Sequence, residues 1–333
     1  MASIMTNASA LTALQSLNAT QKNLDTTQAR ISTGYRVSQA SDNAAYWSIA
    51  TTMRSDNQAM STVSDALGLG ASKVDTAYTG MDSAITTINQ IQQKLTASYG
   101  QTDASKEKTQ VEIAALQKQL QAYADGATFS GTNMLSVNSG ATATSAADVK
   151  IVSAFNRSAT GAVSISTIDV NVESIKLYEA GTAAGVSKGI LDTYRLGTDG
   201  SKVAAVSGTQ TALGATALAT DTYSVANLAI FSGTTAASDT QIQQMMNVVD
   251  AALKSMTNAA TKLGAAKSSI DLQKTFTQSL MDSIDRGVGQ LVDADMNKES
   301  TRLQALQVQQ QLGVQALSIA NGSSQSILSL FRG

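Results

Sequence analysis

Over both ends of the chain, apolar residues recur at alternating steps of three and four; the middle abandons that rhythm. The segment from Leu303 to Phe331 carries two adjacent apolar stripes. One runs through Leu303, Leu306, Gly313, Leu317 and Ala320. The other runs through Ala305, Val308, Leu312, Ala316, Ile319 and Leu330, with Ile327 and Phe331 in the last turns. No charge falls between Arg302 and Arg332. An ordinary surface helix sets one apolar face against one charged face. This segment is apolar on two sides and therefore expects several helical neighbours, more than one chain readily supplies.

The N-terminal segment repeats the pattern, with Leu14, Leu17, Gln21, Leu24, Gln28 and Ile31 at heptad spacing. Asn7 or Ser9 suits its start and Gly34 its left-handed end. A connector follows, in which Arg36 is either paired with an acid or solvated. Asp42 is the expected N-cap of the next helix, and Trp47 the expected packing anchor of the junction. From Met60 through Val63, Leu67, Gly70, Val74, Ala77, Met81, Ala84, Ile88 and Ile91 to Leu95 the spacing never slips. A helix from Asn43 to Ser98 spans roughly 80 Å at 1.5 Å per residue, a length that argues for a coiled coil. A third helix runs from Asp103 to Gly126. Period-two alternation over Lys150–Phe155 and Ala162–Val172 predicts a β-hairpin. Helix resumes at the capping-box sequence Ser238-Asp239-Thr240-Gln241 and carries apolar positions from Ile242 to Ile270, then more loosely to Val288.

The order is nested: the ends match each other, and so do the two long helices inside them. The expected fold is mainly α, a long antiparallel coiled-coil hairpin with paired N- and C-terminal helices. It includes a helical rod with a β-hairpin and a small outer mixed or β insert. The corresponding domains are residues 1–41 with 294–333, residues 42–176 with 237–293, and residues 177–236.

Composition narrows the function. Charged residues are 14% of the chain, well below the roughly 25% of typical soluble domains; a chain that buries its surface in an assembly tolerates this. Net charge is −2, so no basic stripe points to nucleic acid. The absence of Pro permits unbroken helices. Without His or Cys, thiol and Ser-His-Asp chemistry and ordinary zinc sites are excluded. No catalytic, cofactor or metal site is expected. Gly68–Lys73 loosely resembles a phosphate loop but sits within the heptads, where small residues at a tight helix contact explain it. Asp293 and Asp295 are either a carboxylate pair or caps of the terminal helix. No apolar run approaches the ~18 residues of a membrane span, and the first residues lack the build of a cleavable signal.

Several motifs, in order, resemble bacterial flagellin over about Met1–Leu135 and Ser238–Gly333. Ile31-Ser32-Thr33-Gly34-Tyr35-Arg36-Val37 is similar to that family's LSSGLRI motif, and Ala40–Ala45 to its AKDDAAG motif. Leu291–Met296 is similar to its DAD segment. Leu317–Asn321 followed by Ile327–Leu330 is similar to its terminal motif. Tyr46-Trp47 and the compact insert most resemble α-proteobacterial, especially rhizobial, members.

The resemblance implies a secreted, extracellular subunit that polymerises into the flagellar filament, with itself alone or together with sibling flagellins. It implies export through the flagellar type III apparatus, a cytoplasmic export chaperone, and hook-associated junction and cap proteins as partners. On this view Leu14, Leu17, Leu24, Ile31, Leu303, Leu306, Val308, Leu312, Leu317, Ile319, Ile327, Leu330 and Phe331 form the subunit interface. Gly34, Arg36, Asp42 and Trp47 form the junction with the rod. Members sensed by an innate toll-like receptor carry an R-V-R-E-L-A-like run where this chain has Gln90, Ile91, Gln92, Gln93, Lys94 and Leu95; the substitution implies weak sensing. The alternatives are a hook–filament junction protein and, from another class, a secreted coiled-coil translocator or adhesin.

Overall fold

The computed structural model describes residues 7–139, 146–158, 160–181, 188–203 and 210–332, with side chains through residue 322. It is mainly α-helical. Among the described residues five α-helices carry it: α1 (Ala8–Thr33), α2 (Ala44–Ser98), α3 (Asp103–Gly126), α4 (Asp239–Val292) and α5 (Met296–Arg332). Two compact units emerge, residues 1–58 with 280–333 and residues 59–279.

In the larger unit, the heptad positions of α2 from Leu67 to Leu95 and those of α4 from Ile242 to Ile270 are buried in one core with Ile113 and Leu120 of α3. Several helix ends have a visible cause. At α4, Ser238 Oγ accepts from Gln241 N at 3.2 Å while Gln241 Oε1 accepts from Ser238 N at 3.1 Å, a reciprocal cap. Gly100 sits at φ 70° in the α2–α3 turn, and its N–H donates to Asp239 Oδ1. Lys106 Nζ, buried, donates to Ala237 O at 2.9 Å and pairs with Asp239 at 3.2 Å.

The predicted hairpin is present as antiparallel strands Val149–Arg157 and Val163–Val170, bulged between Val152 and Ala154. Its inward face reaches Gly70 of α2: a Cβ there would lie 2.3 Å from Ile151 Cγ2. Gly70 thus lets a strand approach the helix backbone, and Gly68–Lys73 is ordinary α2 helix. A tighter turn joins Thr128–Phe129 to Thr132–Asn133, with Ser130 and Gly131 both at positive φ, the geometry of two-residue hairpins.

Among the described positions, residues 177–236 hold short pairings: Tyr178–Glu179 with Ser136–Val137, Arg195–Leu196 with Thr222–Tyr223, Phe231–Ser232 with Thr235–Ala236, and a single bridge between Arg195 and Lys202. Their apolar side chains, Leu177, Ile190, Leu191, Tyr223, Val225, Leu228 and Ile230, join the same core as α2, α3 and α4. The segment was expected as a separate outer domain, yet its described part is stitched onto the helices. Gln117 Nε2 of α3, for instance, donates to Val225 O and Leu228 O at 2.8 and 2.9 Å.

A charged cluster lies buried at its root. Lys176 and Glu179 have fully buried side chains, 2.9 Å apart, and Lys176 also pairs with Glu173 at 2.8 Å. Glu179 accepts further bonds from Ser139 N, Ser139 Oγ and Gly181 N. Burial pushes the Glu179 carboxyl up, but the bonds from Lys176, Ser139 and Gly181 outweigh it and hold it at about 2.

Candidate functional site

The smaller unit pairs α1 with α5 antiparallel. Asn7 caps α1 by accepting from Ala10 N at 3.1 Å, and its amide donates to Ala320 O at 2.9 Å. A Cβ on Gly313 would lie 3.1 Å from Leu17 Cδ1. Gln310 Nε2 donates to Gln21 Oε1 at 2.8 Å, and Arg30 pairs with Glu299 at 3.3 Å. Along α1 the partners ascend from Asn7 to Arg30; along α5 they descend from Ala320 to Glu299.

This pairing divides the expected interface in two. Leu24 and Leu306 are buried, and Leu17, Ile31, Leu303 and Leu317 are half-buried; all six lie on the faces that α1 and α5 turn to each other. The seam of α5 is Glu299, Leu303, Leu306, Gln310, Gly313, Leu317, Ala320, the first sequence stripe with its polar members added. The seam of α1 differs from expectation. It uses Ala13, Leu17, Thr20, Leu24 and Thr27, while Leu14, Gln21 and Gln28 are exposed. Small residues opposite the leucines allow close approach, and the partner helix, not leucine content, selects the stripe. The second stripe of α5 stays open: Val308 is 55% exposed, Leu312 57% and Ile319 73%. Leu11 and Leu14 of α1 are exposed as well. Ile327, Leu330 and Phe331 lie outside the residues with described side chains.

The junction is a compact knot of backbone bonds. Gly34 ends α1 at φ 76° and its carbonyl accepts from Ala294 N at 2.8 Å. Arg36 N and Val37 N both donate to Val292 O, and Arg36 Nη2 donates to Leu291 O at 2.9 Å. The guanidinium of Arg36 also lies 5.9 Å from the Tyr46 ring centre; its partners are a carbonyl and an aromatic face, not the acid that the sequence left open. Val37, Ala50, Val288 and Val292 form a small buried core there, with Met53, Ile284 and Leu291 against it.

Two expectations at this junction are corrected. The N-cap of α2 is Asn43, whose Oδ1 accepts from Tyr46 N at 3.1 Å. Asp42 instead closes the preceding turn, accepting from Ser38 N, Ser38 Oγ and Gln39 N. The bonds from Gln39 and Ser38 lower its pKa. Trp47 does not join the junction's buried core: it is 38% exposed and takes no place in the cluster of Val37, Ala50, Val288 and Val292. The carboxylates resolve as local structure, for Asp295 Oδ1 accepts from Asn297 N at 3.0 Å and caps α5, while Tyr35 and Asp293 share an isolated β-bridge. On α2, Gln90 and Gln93 are exposed and Gln92 half-buried, between buried Ile91 and Leu95; Lys94 pairs with Glu112 of α3.

Long heptad helices, paired ends and an apolar stripe left open on each end helix are the build of a protein that assembles with copies of itself. The comparisons agree. A family model of the bacterial flagellin N-terminal helical region matches residues 4–140, and one of the C-terminal helical region matches residues 246–331. The chain is 47% identical over 338 residues to flagellin C of Rhizobium meliloti strain 1021. It is 46% identical over 333 residues to a flagellin of Brucella melitensis biotype 1. Each alignment covers both proteins completely. The chain belongs to the bacterial flagellin family, whose members are structural proteins exported from the cell to form the extracellular flagellar filament.

Proposed function

We propose that this filament subunit makes its inner contacts through the open stripe of the end helices: Val308, Leu312 and Ile319 of α5 with Leu14 of α1. The same reading assigns the apolar residues Ile327, Leu330 and Phe331, near the end of the sequence, to the subunit interface. The observation that carries the reading is the exposure of Val308, Leu312 and Ile319 after α1 has covered the other stripe. The seam residues Leu17, Leu24, Ile31, Leu303, Leu306 and Leu317 form the platform on which neighbouring copies pack.

A two-helix pair with so few buried side chains is a weak folding unit alone. Residues 1–41 and 294–333 therefore complete their folding on assembly, where neighbours offset the ordering entropy. They line the inner tube; residues 42–176 with 237–293 form the next shell, and residues 177–236 face outward. Gly34, Arg36 and Asp42 hold the turn between the first two layers, and Trp47, exposed on α2, is available to a neighbouring copy. The unfolded chain travels through the type III export apparatus after release from a chaperone, and it meets junction and cap proteins at the filament's ends. Removing Ser318–Gly333 leaves a folded, protease-resistant middle that does not polymerise; filaments from that truncation refute the reading.

Gln90, Gln92 and Gln93 offer an innate receptor amides where sensed members offer charges, so charge-assisted bonds do not form. The pure monomer is expected to signal weakly in a receptor-activation assay, and potent signalling overturns this.

A further inference from the structure

Within the larger unit, residues 194–203 fold back on themselves against α4. Leu196 N donates to Ser201 O and Val203 N to Tyr194 O, both at 2.9 Å. Asn247 Nδ2 of α4 donates to Gly197 O and Thr198 O in the turn. A Cβ on Gly200 would lie 2.4 Å from Ala251 Cβ, so the turn lies flush on the helix. This pairing sets Arg195 directly opposite Lys202, and like charges so placed oppose the pairing. Arg195 is also buried, 4% exposed. Its Nη1 donates to Gly200 O at 3.2 Å and its Nη2 to Ser255 Oγ of α4 at 3.0 Å, while Nε finds no acceptor.

A buried charge is ordinarily paired, yet among the described residues no carboxylate pairs with Arg195, Lys202 or Lys262. Every Asp and Glu of the chain is among those residues. The acids of the surrounding elements are engaged elsewhere. Asp199 accepts from Ser201 N and Asp221 from Leu218 N; Asp250 pairs with Lys254 and Glu173 with Lys176. Burial lowers the Arg195 pKa. Lys202 is lowered by partial burial first and by Arg195 next; Glu173 opposes this, and Lys176 and Lys262 add to it. Lys202 and Lys262 are exposed, and Lys262 stands two turns beyond Ser255 on the same face of α4. Three cations without a counter-charge, one of them buried, break a rule that natural sequences break chiefly at functional sites.

We propose that this corner is an anion site, in which Lys202 and Lys262 hold a phosphate group at the surface while the buried Arg195 guanidinium, fixed by Ser255, supplies positive field from beneath. A phosphate group carries about −1.5 to −2 charge at neutral pH, which answers three cations better than a single carboxylate does. Its oxygens also accept from several donors at once. The group is either a free ion or the end of a phosphomonoester, since both present the same dianion. Nothing in the site depends on the filament contacts of α1 and α5.

The test melts the full-length chain, dilute and shown monomeric by sedimentation, at neutral pH. One buffer holds inorganic phosphate; the other is phosphate-free and brought to the same ionic strength with sodium chloride. At phosphate about a hundredfold above the Kd found by titration calorimetry, wild type should melt at least about 5 °C higher. Lys202→Gln with Lys262→Gln, at two surface positions, should melt no lower than wild type without phosphate and bind it at least about tenfold more weakly. Arg195→Met should also reduce the response; if that variant fails to fold, the lysine pair still decides. Glycerol 3-phosphate matching inorganic phosphate identifies the end of a larger molecule as the occupant, whereas a response to inorganic phosphate alone identifies a free ion. Wild type melting alike in both buffers overturns the proposal. So does an equal gain by wild type and the lysine variant, which general salt exclusion would produce.

Discussion

Glutamine in place of Glu179 probes the buried charge cluster beneath residues 177–236. In the folded chain this carboxylate sits at about 2 against an ordinary value of 4.5. Its ionised form therefore contributes about 3 kcal/mol to folding, at about 1.4 kcal/mol per pH unit. The folded pKa lies below the unfolded one, so the contribution is fully present above about pH 4.5 and is lost as pH falls toward about 2. Glu179→Gln removes it at every pH and takes from the fully buried Lys176 one of its two carboxylate partners, the other being Glu173. Breaking a buried pair from one side costs about 3–5 kcal/mol. Replacing Lys176 with Met in the same chain should recover part of that loss, since no buried ammonium is then left short of a counter-charge.

The assay is urea unfolding of the monomer, followed by circular dichroism at several values between neutral pH and about pH 2. Asp192 is shifted the opposite way, upward, chiefly by burial, and contributes its own pH dependence. Comparing wild type with Glu179→Gln cancels that shared part. The stability gap between the two should be widest near neutral pH and shrink by about 3 kcal/mol toward about pH 2. A gap that stays constant across the range refutes the assignment.

Other expectations follow from single positions. Gly70→Val should lower the melting temperature and disturb the amide resonances of the hairpin, because its Cβ would collide with Ile151; overpacking of this kind costs about 1–3 kcal/mol. Gly34→Ala, at φ 76°, should cost about 1–2 kcal/mol and raise protease sensitivity near residues 34–41 without touching the rod. Asn43→Ala should destabilise the start of α2 by about 1 kcal/mol, visible as faster amide exchange at Tyr46 and Trp47. Gln90→Arg with Gln93→Glu should raise receptor signalling above that of the wild-type monomer.

Much of the architecture is legible in the heptads. Leu303, Leu306, Gly313, Leu317 and Ala320 mark the α5 seam directly, since no other stripe of equal regularity competes with them on that face. On α1 the same logic selects Leu14 over Ala13 and Gln21 over Thr20, because a step of three or four accommodates either neighbour. Only the partner helix decides, and it favours the smaller residue. Asp42 and Asn43 are adjacent and equally suited to capping; which of them caps α2 depends on the turn at Ser38–Asp42, which has no periodic signal. The Lys176 cluster left one trace, acids three residues to either side of a lysine, but Ser139 reaches it through irregular chain that no pattern announces. Two-residue bridges in 177–236 fall below the length at which alternation is readable.

The central claim is that the open stripe of the end helices is what neighbouring subunits cover. The measurement that tests it most directly is the critical concentration for seeded assembly of the Val308→Gln, Leu312→Gln, Ile319→Gln variant, read by sedimentation and electron microscopy. The account predicts a monomer with a wild-type middle that forms no filaments at concentrations where wild type polymerises completely. Filaments of normal appearance at the wild-type concentration would contradict it.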